Sequence, residues 1–339
     1  MRTDPASRTL VGAAAAGTDA AENPPPAPEP QPRAERAFCL RRGETVAEGI
    51  RRAARGQLAN GSDALAGVSG RDELGTAVHE TRKSIKRVRA TLRLARGAIG
   101  ETAYAHENAA MRTIAGRLSG ARDAHVLIQT LDAIEERFAA ELSPAATERL
   151  RARLHDEHER AVSALVADAD VAVTTRAALE EARARTQEWS FDGDGFAAVA
   201  PGLRRVYRRG RKRIRAAEEE PSAENLHDAR KRVKDLWHAA ELLQAAHPGR
   251  MKRLAGDAHE LSSLLGDHHD LHVLREYAAA NPQLFSDMQS REELLAAVDR
   301  RSGELARDAL EHGRRLYKRS PKRFVRKIAR GWDKRAGTS

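Results

Sequence analysis

An all-α fold is predicted by three features of this sequence. Ala, Leu, Arg and Glu, all good helix formers, dominate it, whereas aromatic residues make up 4% of its 339 positions and Val and Ile are sparse. Nowhere do apolar and polar residues alternate with the period of two that a half-buried strand requires. From Glu44 onward, helix breakers divide the chain at Gly61 to Gly70, Gly97 to Gly100, Ser143-Pro144, Asp192 to Gly195, Glu220-Pro221, Pro248-Gly249 and Asn281-Pro282.

Residues 1–35, with "AENPPPAPEPQP", are too rich in Ala, Pro and Glu to bury a core and are expected to form a disordered leader, so folding should begin near Phe38. The apolar run from Val11 to Gly17 is too short and Ala-weak for a secretory signal, and no stretch reaches the roughly 18 to 20 apolar residues of a membrane helix. One cysteine, Cys39, excludes an intramolecular disulfide framework and fits a reducing interior, which makes the cytoplasm the expected compartment. Lys plus Arg number 59 against 49 Asp plus Glu, a net charge of +10. That excess attracts polyanions without selecting among nucleic acid, anionic lipid and polyphosphate.

The next helical segments contain a repeat. "HETRKSIKRVR" from His79 returns as "HDARKRVKDLW" from His227, 148 residues later, and "RDAHVL" from Arg122 returns as "HDLHVL" from His269, 147 residues later. Two signals in the same order at nearly the same spacing indicate an internal duplication. Each copy is too long for a solenoid unit and suits a bundle of about four helices, so two bundles packed as one domain are expected, over about 36–190 and 191–318.

On a helical wheel, Leu74, Ile85, Val88 and Leu92 share an arc of about 60° beside Val78 that reads as a buried seam. His79, Arg82, Lys83, Lys86, Arg89 and Arg93 fill the adjoining arc of about 120°. In the second copy Leu226, Val233, Leu236, Ala240 and Leu243 form the seam, with His227, Arg230, Lys231 and Lys234 beside it. Like charges at i, i+3 and i+4 repel by a few tenths of a kcal/mol per pair, so two matching cationic stripes are not explained by helix stability. Further cations lie on Arg51, Arg52 and Arg55 and in "GLRRVYRRGRKRIR", where Arg204, Arg208, Arg211 and Lys212 are the binding candidates. The stretch 319–339 reads as a basic tail. Facing stripes would line one central basic cavity that focuses field on a long anion.

Two other chemistries have weaker support. "DHHDLH" from Asp267 to His272 places His268 and His272 at i and i+4, a workable bidentate pair, but no second cluster supplies further metal ligands. No Walker loop, Gly-x-Ser-x-Gly elbow or convincing Cys/His arrangement is present, so no catalysis and no cofactor are expected.

His-x-x-Arg-Lys-x-x-Lys opening a helix in each half, followed some 40 residues later by Asp-x-His-Val-Leu, resembles the CHAD domain over roughly 40–318. The resemblance implies an all-α domain of two four-helix repeats around a basic cavity that binds inorganic polyphosphate and brings the protein to polyphosphate granules. It assigns binding to His79, Arg82, Lys83 and Lys86 and to His227, Arg230, Lys231 and Lys234, with Arg122, Asp123, His269 and Asp270 in support. Trp237 departs from the family pattern where a basic residue is usual, a place that Arg89 fills in the first half, so unequal contributions from the halves are expected. The CYTH barrel that sometimes accompanies this domain, with its Glu-x-Glu-x-Lys strand, has no counterpart here. Few aromatics disfavour a single-stranded nucleic-acid platform, although nucleic acid at low salt stays open as an alternative ligand.

Overall fold

The computed structural model describes residues 36–41, 43–68, 70–118, 123–142, 144–167 and 169–336; the leader expected over 1–35 lies outside them. The fold is all-α, with eleven α-helices and no strand among the described residues. In chain order they are α1 Val46–Ala64, α2 Arg71–Ile99, α3 Glu101–Arg117, α4 Asp123–Arg137, α5 Pro144–Ala167 and α6 Ala169–Arg185. They continue as α7 Gly195–Glu219, α8 Ala223–Leu242, α9 Pro248–Ala280, α10 Met288–Leu316 and α11 Pro321–Ala336. No helix among the described residues is long and apolar enough to cross a membrane.

Local chemistry sets the helix ends. At α1 the Glu48 N–H donates to the Thr45 hydroxyl at 3.2 Å while the Thr45 N–H donates to the Glu48 carboxylate at 2.8 Å, a reciprocal capping box. Ser222 caps α8 and Asp287 caps α10, accepting from Asn225 N–H at 3.3 Å and Ser290 N–H at 2.8 Å. Between α2 and α3 the chain turns at Gly100, whose φ of 81° is in the left-handed region that glycine adopts without strain.

The predicted seams are the buried faces. Leu74, Val78, Ile85, Val88 and Leu92 of α2 are buried, as are Leu226, Val233, Leu236, Ala240 and Leu243 of the second seam. Each large side chain buried in this way contributes about 1.5–3 kcal/mol, far more than the charge repulsion along the stripes opposes. Two apolar cores result. One joins α1, α2, α3, α6, α7, α8, the first half of α9, the end of α10 and α11; the other joins α4, α5, the second half of α9 and the earlier part of α10. Each core draws on chain from both sides of residue 190.

α7 and α2 approach closely because Gly202 has no side chain: a Cβ there would collide with the Leu94 carbonyl. The segment from 319, which reads as a basic tail, carries a packed helix. In α11 Phe324 stacks on Tyr207 at 3.9 Å, Ile328 is buried, and Trp332 lies 5.8 Å from Phe196.

Candidate functional site

The basic stripes meet other elements around the crossing of α2 and α8. Two ion pairs span it, Arg87 to Glu241 at 3.6 Å and Arg93 to Asp235 at 3.0 Å. Their partners ascend α2 while descending α8, so the two helices run antiparallel. Shifting either pair by 148 residues maps it onto the other, because Arg87 corresponds to Asp235 and Arg93 to Glu241. His79 to Lys86 and His227 to Lys234 therefore lie on opposite sides of the crossing, from roughly 12 Å (Lys86 to Lys234) to roughly 33 Å (His79 to His227) apart along the axis at 1.5 Å per helical residue.

An arginine cluster lies at the crossing itself. Arg93 and Arg96 of α2, Arg205 and Arg209 of α7, and Asp235 of α8 line one narrow crevice. Asp235, buried, accepts both Arg93 and, at 2.9 Å, Arg232. Arg96 is held by Glu101 through bonds of 2.7 and 2.6 Å and lies over the Tyr104 ring at 4.6 Å. Burial, then the neighbouring Arg93, pushes the Arg89 guanidinium below its ordinary range. Burial and then Arg232 do the same for Arg209. Burial is the larger cause in both, and the smaller one, the neighbouring guanidinium, is the part that an added anion would relieve. Nη1 of Arg205 is sealed from solvent with no hydrogen-bond partner among the described residues.

Arg205 also belongs to a neighbouring cavity of about 630 Å³ between α7 and α11. Arg204, Arg208, Lys322 and Arg326 line it with Arg205, over a floor that includes Ala197, Pro201 and Val325, and no acid is among the lining residues. The cationic surface thus continues from the crossing onto α11.

The motif residues divide by environment. In the second half His227 packs on His269 with ring centroids 4.1 Å apart, and Arg230 faces Asp270 at 3.7 Å. Arg230 lies against Gly266, where a Cβ would come within 3.2 Å of the guanidinium. Lys231 pairs with Asp228 at 3.1 Å, which Arg213 also reaches at 3.1 Å; Lys234 is half-buried. Burial, followed by the cations Lys231 and Arg230, lowers the His227 pKa. Burial and then His227 bring His269 down to about 4. Burial, followed by Asp270, raises the Asp267 carboxyl. In the first half His79, Lys83 and Lys86 are exposed, with Lys83 at 3.2 Å from Glu80. Arg82 donates Nη1 to the Leu118 carbonyl at 2.8 Å, closing the end of α3, whose last carbonyls lack helical partners. Arg122 and the side chain of Asp123 lie outside the described residues.

Four of the candidates named from the sequence have other surroundings. Arg51 donates to the Trp189 carbonyl at 3.0 and 2.5 Å and covers the Phe191 ring at 5.0 Å, so it fastens the segment before α7 to α1. Arg55 is half-buried on α1, and neither Arg55, Arg211 nor Lys212 lines the crevice or the cavity beside it. Sequence reasoning missed Arg96, Arg205, Arg209, Arg232 and Asp235. The i, i+4 spacing of Arg205 and Arg209 was the available signal, but periodicity alone does not say which edge of α7 meets α2. Among the described residues no group of three or more His, Cys, Asp or Glu side chains is arranged to hold a metal ion.

A family model described as CHAD domain matches residues 49–279. Two solved structures share the fold. PptA from Streptomyces chartreusis is 16% identical, with 82% of this chain and 99% of that one covered and a TM-score of 0.53. The CHAD domain from the plant Ricinus communis is 18% identical, with 83% and 94% covered and a TM-score of 0.53. A search of the curated proteins found no match.

Proposed function

Because the chain belongs to the CHAD domain family, a family associated with polyphosphate binding, we propose that it is a binding module for inorganic polyphosphate with no chemistry of its own. The observation that supports this reading is the concentration of cations around the α2/α8 crossing: a motif cluster on either side of it, and arginines from α2, α7 and α8 gathered at it. A compact anion would engage one part of this surface, whereas a linear polymer engages all of it. Polyphosphate carries about one negative charge per phosphate and no base or sugar, so guanidinium forks and lysine ammonium groups suffice to hold it. The site is then a cytoplasmic receptor surface that recruits the protein to polyphosphate granules.

Retention on immobilised polyphosphate at low and moderate salt tests the proposal. The Arg205→Glu/Arg209→Glu variant should lose retention at moderate salt with an unchanged thermal unfolding midpoint; retention equal to the parent protein refutes this site. Nucleic acid is the rival ligand because the same field attracts it. In competition, polyphosphate should displace DNA at a much lower concentration of anionic groups, and equal displacement would favour a nonselective basic surface.

A further inference from the structure

A second cationic cavity lies away from the α2/α8 crossing, mostly beyond the segment that matches the family model. It measures about 700 Å³ and is enclosed by the start of α9, the end of α10 and α11. Arg250, Arg253, Lys318, Arg319 and Lys327 line it above a floor that includes Leu254, Phe324 and Ile328. Asp257 and Glu260 are the acids of its wall. At this end Glu311 holds Arg315 at 2.7 Å and Glu260 approaches His312 at 3.9 Å. Among the described residues, no carboxylate lies within the 4.0 Å ion-pair distance of any of the five lining cations named above.

The bland explanation for basic residues near helix ends is the dipole, which favours cations at a C-terminus. It accounts for Lys318 and Arg319 just after α10. It works against Arg250 and Arg253, which occupy the first turns of α9, where the positive end of the dipole opposes them. The groups also oppose one another: Arg250 and then Arg319 push the Lys327 ammonium down, while burial and then Arg319 and Arg253 push the Arg250 guanidinium down. Nε of Arg250 is sealed from solvent without a hydrogen-bond partner among the described residues. The cavity is held open by its frame. The Tyr207 hydroxyl donates to the Leu316 carbonyl at 3.1 Å and accepts from the Arg319 N–H at 3.3 Å, and Phe324 stacks on the Tyr207 ring. With these aromatic faces turned toward each other, the wall offers cations and no platform for a base.

We propose that this cavity is a second, separate anion site that takes a compact, multiply phosphorylated ligand, either a short inorganic oligophosphate or a polyphosphorylated small molecule. Its cations are distinct from those of the crossing, so the site stands independently of the polymer-binding reading. The test is calorimetric titration of the full chain with tripolyphosphate and, in parallel, inositol hexakisphosphate. One saturable site, tighter than any engagement of the crossing by these short ligands, is expected, weakened at least tenfold in Arg253→Glu/Lys327→Glu and less in Arg253→Gln/Lys327→Gln. Both variants should keep the ligand-free unfolding midpoint and retention on long-chain polyphosphate. The probe that binds more tightly identifies the ligand type. In Arg205→Glu/Arg209→Glu the titration should be unchanged, which separates failure of this site from failure of the crossing. Nonsaturable binding of both probes, or undiminished binding in the glutamate variant, overturns the proposal.

Discussion

His227 and His269 show how a cationic site keeps its histidines neutral. Partial burial is the first cause in both; Lys231 and then Arg230 add to it at His227, and His227, Arg230, His272 and His268 add to it at His269. Their folded pKa values lie below the ordinary 6.5, that of His269 at about 4. Between pH 6.5 and pH 4 the unfolded chain therefore binds protons that the folded chain does not, so stability is lost as pH falls through that window. His269→Gln should flatten this dependence in denaturant unfolding at pH 7 and pH 5; an equal pH dependence in parent and variant would refute it. A bound polyanion reverses the local balance by favouring the imidazolium forms, so polyphosphate affinity should rise from pH 7 to pH 5. The repeated motifs carry His227, Arg230, His269 and Asp270, but nothing in them says that His227 packs on His269 or that Arg230 faces Asp270. The role of Asp235 was not legible either, since one acid inside a basic stripe looks like local compensation until α2 crosses it.

Helix α7 has cations along both edges of its apolar stripe, and packing assigns different work to the edges. Gly202 allows α7 to rest on the Leu94 carbonyl, and Arg205 lines the crevice beside it. Gly202→Ala should cost about 1–3 kcal/mol through overpacking and weaken polyphosphate retention together with stability in chemical denaturation. A neutral substitution would mean that the close approach does not position the cluster. The sequence shows eight cations from Gly202 to Arg215 without an acid, too uniform a pattern to distinguish Arg205 and Arg209 from Arg211 and Lys212. It likewise presents α11 as a basic tail, because the apolar stripe of Phe324 and Ile328 acquires meaning only when Tyr207 and α7 lie beneath it.

Across the molecule, the excess of ten positive charges is organised by helices from both halves of the chain. The all-α class and both seams were legible because composition and 3.6-residue periodicity are local properties. The distribution of the core was less so: α9 contributes its first half to one core and its second half to the other, and a 33-residue helix gives no internal sign of that division. The crossing follows from the same long-range packing. It places the two motif clusters on opposite sides of the α2/α8 contact, the arrangement on which the polymer-binding proposal rests.

The most direct measurement is the salt dependence of long-chain polyphosphate binding in the parent protein, in Lys83→Gln/Lys86→Gln and in Lys231→Gln/Lys234→Gln. By the counterion-release relation for single strands, each double substitution should reduce the slope of log K against log salt by about 1.4, and the combined variant by the sum. A slope that stays the same when either end is neutralised would mean that the chain does not span the crossing, and the account of one continuous binding line would be wrong.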